Sequence, residues 1–310
     1  MLHGLMENMG AVVKPSLPYS IEEILGDLLL PAGAPGVYAR TERFERVIEG
    51  LQRRISAHRD AGAEALAFPP VTSRGLIETA GYHKSFPHLL GSVCCLRGEE
   101  GPIRRLVEQE HWVEGLEATD LVLSPAACYP LYPLISARGP VPAGGRTYDV
   151  SSYCFRREAT HEAGRLQSFR MRELVCVGTP AAALGFRDRW MERARVLIEP
   201  LGLPFELAPA SDPFFGRAGK IMAMSQVEQS LKFELLIPVL SPERPTACMS
   251  FNYHLDKFSE IWPMRMAGGE AAHTTCVAFG MERLALALFA SHGPRPEGWP
   301  GAVRQALELA

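Results

Sequence analysis

Apolar residues recur at helical spacing through residues 39–60, where Phe44, Val47, Ile48, Leu51 and Ile55 form one stripe and predict an amphipathic helix. Thr41 stands where its N-cap belongs, with Glu45 a little late for a strict capping box. Residues 181–201 predict a second helix, with Phe186, Trp190, Ala194, Leu197 and Leu201 on one face. Its other face carries Arg187, Arg189, Arg193 and Arg195. A third helix begins near Met281 and uses Leu284 and Leu288. Alternating or β-rich runs at 150–157, 169–177, 232–239 and 246–254 predict strands. These strands do not alternate regularly with helices, which predicts an α+β fold, a mostly antiparallel sheet flanked by helices. Neither GxGxxG nor GxxxxGK[ST] occurs, no internal repeat is visible, and no boundary signal splits the chain.

Composition excludes several classes. At 47% hydrophobic, 22% charged and a net charge of −3, the 310 residues do not read as a disordered chain. The longest uninterrupted apolar run, 284–290, is far too short to span a bilayer, and the first ten residues carry no signal-peptide pattern. Lys+Arg at 32 against Asp+Glu at 35 leaves no basic surplus for a large nucleic acid. The seven cysteines, at 94, 95, 128, 154, 176, 248 and 276, include no CxxC pair. They suit a reducing, cytoplasmic setting, and each is expected to be a buried small hydrophobe.

The segment 153–177, YCFRREATHEAGRLQSFRMRELVCV, carries the most chemistry. Two strand-like runs bracket a polar connection. Arg156 and Glu158 share a face of the first run; Phe169, Met171, Glu173 and Val175 share a face of the second, and Arg165 lies in the connection. An antiparallel pair would gather a guanidinium, two carboxylates and an aromatic ring on one surface. Arginine offers planar donors to phosphate, and a phenyl face suits stacking on a base. On local pattern alone, a solvated, salt-bridged hairpin remains the alternative.

FRRE, its loop, RLQSF and RELV resemble motif 2 of class II aminoacyl-tRNA synthetases, the seryl enzymes most of all, over about 150–177. CVAFGMERLALALF, within about 274–292, resembles motif 3, and the long helix with EALAFPPVTSRGLIETAGYHKSFPHLL, about 39–90, resembles motif 1. The resemblance implies that Arg156 holds the ATP α-phosphate and that Glu158 sits near the adenine amino group. Phe169 and Arg283 would stack on opposite faces of adenine, with Arg283 also reaching the γ-phosphate and Arg165 the terminal phosphates. Leu166, Lys232 and the strand residues Ala247, Cys248, Met249 and Ser250 join this ATP-binding set. Thr246 falls where the seryl enzymes carry a magnesium-binding glutamate, so how Mg2+ is held on ATP is left open. Cys276 and Ala278 replace two motif 3 glycines.

Cys128 in SPAACYPLYP, Glu173 and Cys276 match the zinc triad of the methanogenic-type seryl enzymes. Without that family, buried thiols would be the favoured reading. The resemblance implies one Zn2+ per subunit, with Glu173 also at the substrate amino acid. Motif 1 starts in the first quarter of the chain, so 1–310 is expected to be one catalytic domain with no N-terminal tRNA-binding domain. The resemblance that covers all these features is to the amino acid:[carrier protein] ligases, truncated seryl-synthetase homologues. It implies ATP-dependent activation of a small amino acid, glycine ahead of alanine, and transfer to the phosphopantetheine thiol of a small acidic carrier protein. A homodimer is implied by motif 1, and no tRNA partner is expected. Two alternatives remain: tRNA charging with a separate RNA-binding partner, and a non-catalytic regulatory paralogue.

Residues 212–233 read as a short helix with Arg217 and Lys220 near its start and Ile221, Met222 and Met224 as apolar positions; this is the candidate carrier-docking segment, with a plain core helix as the alternative. The arginine face of residues 181–201 is the second candidate. His254 with Asp256 suggests a catalytic dyad, the weaker reading because adenylation needs no general base. His161 reads equally as a phosphate contact or a solvated loop residue, and Cys94–Cys95 as core.

Overall fold

The computed structural model describes residues 17–19, 21–157 and 164–309. The chain opens with α1 (Ile21–Leu28), β1 (Leu29–Pro31), β2 (Tyr38–Arg40), α2 (Glu42–His58), β3 (Glu64–Ala67), β4 (Val71–Ser73), α3 (Arg74–Thr79) and α4 (Tyr82–Ser85). It continues with β5 (Ser92–Leu96), α5 (Glu100–Glu108), β6 (Leu116–Leu123), α6 (Leu131–Ala137), β7 (Arg146–Phe155), β8 (Ser168–Gly178) and α7 (Pro180–Ile198). The last third holds β9 (Glu206–Pro209), α8 (Gly216–Glu228), β10 (Lys232–Ile237), β11 (Thr246–Leu255), α9 (Lys257–Ile261), β12 (His273–Gly280), α10 (Met281–His292) and α11 (Gly301–Leu307).

Seven strands form the main sheet in the order β3-β7-β8-β12-β11-β10-β9, antiparallel throughout except for the β3–β7 pair. The α+β arrangement expected from the sequence is the one observed. All five residues of the α2 stripe are fully buried, each worth on the order of 1.5–3 kcal/mol as an upper estimate. Thr41 does precede α2, but its side chain makes no capping bond; its carbonyl accepts from Glu45 N. Gly50 is needed for close approach, because a Cβ there would sit 2.5 Å from the Leu307 carbonyl oxygen of α11. Helix α7 starts at Pro180, with the Thr179 hydroxyl accepting from Ala182 N.

One face of the sheet packs against α2, α7 and α10 around Phe44, Trp190, Phe279 and Phe289. The other face carries a second core of Tyr132, Phe258 and Met264 around Cys128 and Cys276. Two sequence expectations fail. Arg187 is not available on the arginine face proposed for docking: it is 4% exposed, donates to the Ser230 carbonyl at 2.6 Å and lies over the rings of Phe233 and Tyr253. Cys94 and Cys95 are exposed rather than core, because β5 is an edge strand of a small separate sheet, β4-β6-β5. Among the described residues no helix is long and apolar enough to cross a membrane.

Candidate active site

Strands β7 and β8 form a hairpin in which Cys154 faces Phe169 and Val150 faces Glu173. The bond from Arg156 N to the Gln167 carbonyl extends the pairing past the strand end. Phe169, Met171 and Glu173 share a face by the two-residue period of a strand. On the other side of β8 lies β12, and beyond it β11, with Asn252 directly opposite Cys276 and Ser250 opposite Ala278. These strands floor a cavity of about 570 Å³ that α8 and the 126–129 loop help to wall.

At one point on this floor Cys128, Glu173 and Cys276 bring their ligand atoms within 4.8 Å of one another. They come from three places: the loop before α6, strand β8 and strand β12. All three are buried, at 5, 2 and 3% exposure. Glu173 Oε1 accepts from the backbone N–H groups of Ala127 and Cys128, at 2.8 and 3.0 Å, which pins the Cys128 loop to β8. The Cys128 thiol is pushed well up, first by its hydrogen bond to Cys276, then by burial and the Glu173 carboxylate. At Cys276 the bond from Cys128 acts downward, but burial and Glu173 outweigh it and the net direction is up. Two thiols and a carboxylate held together in this way can hold a metal ion.

Four residues along β8, about 13 Å of strand, Phe169 lines the same cavity together with Arg156 and Arg283. The Arg283 guanidinium donates to the Gly164 carbonyl at 2.9 Å and to the Ala247 carbonyl at 3.0 Å, joining the end of the motif 2 connection to β11. Arg156 donates through Nε to the Pro125 carbonyl at 3.2 Å, and its guanidinium lies 5.6 Å from the centroid of the Phe169 ring. Leu166, Ala247, Cys248, Met249 and Ser250 line the cavity as well. Burial pushes the Cys248 thiol up to about 12, so it is protonated at neutral pH.

Lys232 also lines the cavity, ion-paired to Asp212 at 2.6 Å and to Glu234 at 2.9 Å. Burial alone would raise the Asp212 carboxyl, yet Lys232 and Gln226 outweigh it and hold it below the usual range. Arg165 is exposed and is not part of the cavity lining, nor are Arg217 and Lys220, which lie exposed on α8. Glu158 and His161 lie outside the described residues.

Several cavity residues went unassigned in the sequence reading: Tyr129, Asp212, Asn252 and Glu282. Asn252 was within reach, because the period of two that places Ser250 on the floor continues to Asn252 and His254. The His254–Asp256 dyad, the weaker reading of that pair, does not form. His254 instead meets Thr274 and Cys276, while Asp256 is exposed.

Fold and floor together define a class II aminoacyl-tRNA synthetase-like catalytic domain. The seryl-tRNA synthetase of M. kandleri, solved with A. aeolicus tRNASec, superimposes with a TM-score of 0.74 at 20% identity, over 90% of this chain and 58% of that one. The cytoplasmic serine–tRNA ligase of Naegleria fowleri with AMP gives 0.66 at 15% identity, over 90% and 55%. The chain thus spans little more than half the length of these synthetases. No protein-family model matches it. It is 52% identical over 299 residues to amino acid–[acyl-carrier-protein] ligase 1 of Bradyrhizobium diazoefficiens, covering 95% of this chain and 92% of the relative. Ligase 2 of the same organism is also 52% identical, over 94% and 88%. The type-2 serine–tRNA ligase of Methanopyrus kandleri is 28% identical over 63% of this chain and 39% of its own. The chain belongs to the amino acid–[acyl-carrier-protein] ligases and is a ligase.

Proposed function

We propose that this ligase activates a small amino acid as its adenylate and transfers it to the phosphopantetheine thiol of a small acidic carrier protein. The observation that carries this reading is one cavity floor holding both the Cys128–Glu173–Cys276 group and, some 13 Å along β8, Arg156, Phe169 and Arg283. That separation suits an aminoacyl adenylate lying along the sheet, its base at Phe169 and its amino group at the triad. The amino acid carboxylate attacks the α-phosphorus and pyrophosphate leaves. Arg156 and Arg283 offset the charge that develops, already fixed by backbone carbonyls and so needing little reorganisation. The thiol sulfur then attacks the carbonyl carbon; AMP departs and the thiol proton passes to solvent. ATP enters as its Mg2+ complex, and Glu158 and Arg165 remain candidates for contacts to it.

The triad fits Zn2+. Sulfur and carboxylate oxygen are ligand types zinc takes, and three protein ligands leave the fourth position of a catalytic site open. Cys128, Glu173 and Cys276 would hold the ion, which supplies a Lewis-acid site for an unprotonated amine. We read residues 17–309 as one catalytic domain of a homodimer that needs no tRNA. A cytoplasmic setting is supported by seven cysteines in the free form.

Carrier docking on α8 is supported by three features. Ile221 and Met224 are 67 and 63% exposed, and Arg217 and Lys220 stand exposed beside them. The same helix lines the cavity through Met222, Ser225 and Gln226, so a carrier seated there delivers its thiol near the floor. The rival arginine face of α7 is largely engaged, with Arg193 paired to Asp60 and Arg195 over the Phe205 ring. Reversing the charges of Arg217 and Lys220 should slow carrier loading and leave activation intact.

Amino-acid-dependent ATP–pyrophosphate exchange tests the activation step. Exchange is expected with glycine above alanine, and Arg156→Ala or Arg283→Ala should lower it by on the order of 10²–10³. No exchange with any small amino acid overturns the reading.

A further inference from the structure

Strand β11 carries an extra residue opposite β12. Tyr253 pairs with Thr275 but Leu255 pairs with Thr274, leaving His254 as the bulged position and Leu255 in the left-handed region at φ +57°. The imidazole stays on the floor side of β11 with Ser250 and Asn252, 4.9 Å from Phe258 and 6.4 Å from Tyr132 between centroids, both edge-on. Its Nδ1 lies 3.0 Å from Thr274 Oγ1 and its Nε2 3.6 Å from Cys276 Sγ. Asn252 Nδ2 donates to the same sulfur at 3.5 Å.

We propose that His254 is a positioning residue for the Cys276 ligand: it donates Nε2–H to the sulfur while the Thr274 hydroxyl donates to Nδ1. The inference rests on the zinc reading above. A thiolate accepts hydrogen bonds and donates none, so a neutral ring facing it must carry its single proton on Nε2. Nδ1 is then a lone pair, and the Thr274 hydroxyl rotates to fill it. Thr274 is fully buried, so this tautomer is fixed without water. With Asn252 added, the Cys276 thiolate receives two N–H donors, which fix its direction and draw electron density from the metal.

The test measures metal, not turnover. Zinc content and affinity, the latter by chelator competition, are read for the parent, His254→Phe, His254→Gln and Thr274→Val, with thermal unfolding of each as a check on folding. The sulfur-to-cobalt charge-transfer band is read on Co2+-substituted protein. His254→Phe and the nearly isosteric Thr274→Val should each bind zinc roughly 10–100-fold more weakly. Their charge-transfer bands should move to lower energy, because an unbonded sulfur gives up its electrons more readily. His254→Gln, which keeps an N–H donor, should recover part of the affinity and of the band position. Parental affinity with an unmoved band overturns the donor when seen in His254→Phe and the relay when seen in Thr274→Val. A parent that binds no zinc overturns the zinc reading itself, a different result from a parent that binds it and variants that match it.

Discussion

Replacing Glu282 by glutamine removes one negative charge from a site with almost no solvent. Glu282 is 1% exposed and accepts from Arg170 twice, through the backbone N–H at 2.7 Å and Nε at 2.9 Å, while Arg40 Nε lies 3.1 Å away. Arg170 in turn donates to Glu45 of α2, with Nη2 2.9 Å from Oε1. The carboxylate thus joins the start of α10 to β8 and, through Arg170, to α2. A glutamine retains the acceptor for the backbone N–H but faces the two guanidinium groups with a neutral amide. Breaking a buried ion pair by neutralising one partner costs about 3–5 kcal/mol; Arg170 keeps Glu45, so the lower half of that range is expected. With an unfolding entropy near 2.1 cal/mol/K per residue, 310 residues give about 0.65 kcal/mol/K, so the melting temperature should fall by roughly 5–6 °C. Arg283 follows Glu282 in α10 and Phe169 precedes Arg170 in β8, so the KM for ATP in pyrophosphate exchange should rise as well. Urea unfolding with an unchanged slope gives the stability difference directly. A loss below about 1 kcal/mol with a parental KM would show that the Glu282 charge neither stabilises the fold nor positions the ATP-binding residues.

Gly50→Ala drives a Cβ to 2.5 Å from the Leu307 carbonyl, and the overpacking should outweigh the gain in helix propensity by about 1–2 kcal/mol, read from urea melts. Burial alone would raise the Asp149 carboxyl, but Arg172 and Arg59 outweigh it and hold it below the usual range. A depressed carboxyl contributes stability above its unfolded pKa, near 3.9, and loses it as pH falls through the folded value. Asp149→Asn should therefore be destabilised at pH 7, and its gap to the parent should close in urea melts taken below about pH 4. Light scattering should give the mass of a dimer; a monomer mass at micromolar concentration would contradict the role assigned to motif 1.

Regular elements were legible where periodicity was long: the stripe of α2, the buried face of α7 and the four strands β7, β8, β10 and β11 all fall where the sequence puts them, within a few residues. The triad was legible only through resemblance, because Cys128, Glu173 and Cys276 lie far apart in the chain and meet through sheet register. Arg187 misled because helical position reports which face a residue occupies, not what covers that face; the 230–233 segment closes over it. The link from Arg170 to Glu45 and Glu282 joins residues more than a hundred positions apart and leaves no local pattern to read. His254 was visible as a chemical group, but its partners Thr274 and Cys276 lie on β12 and meet it only through sheet pairing, which one strand's sequence does not disclose.

In the function proposed above, an activated small amino acid ends on a carrier thiol. Intact-mass measurement of a phosphopantetheine-bearing acidic carrier, incubated with the ligase, ATP and glycine, tests it most directly. The expected result is a gain of one glycyl group on the prosthetic arm, dependent on ATP, removed by hydroxylamine as a thioester is, and absent with Cys276→Ala. A carrier that stays unmodified with every small amino acid, while the same ligase catalyses pyrophosphate exchange, would contradict it.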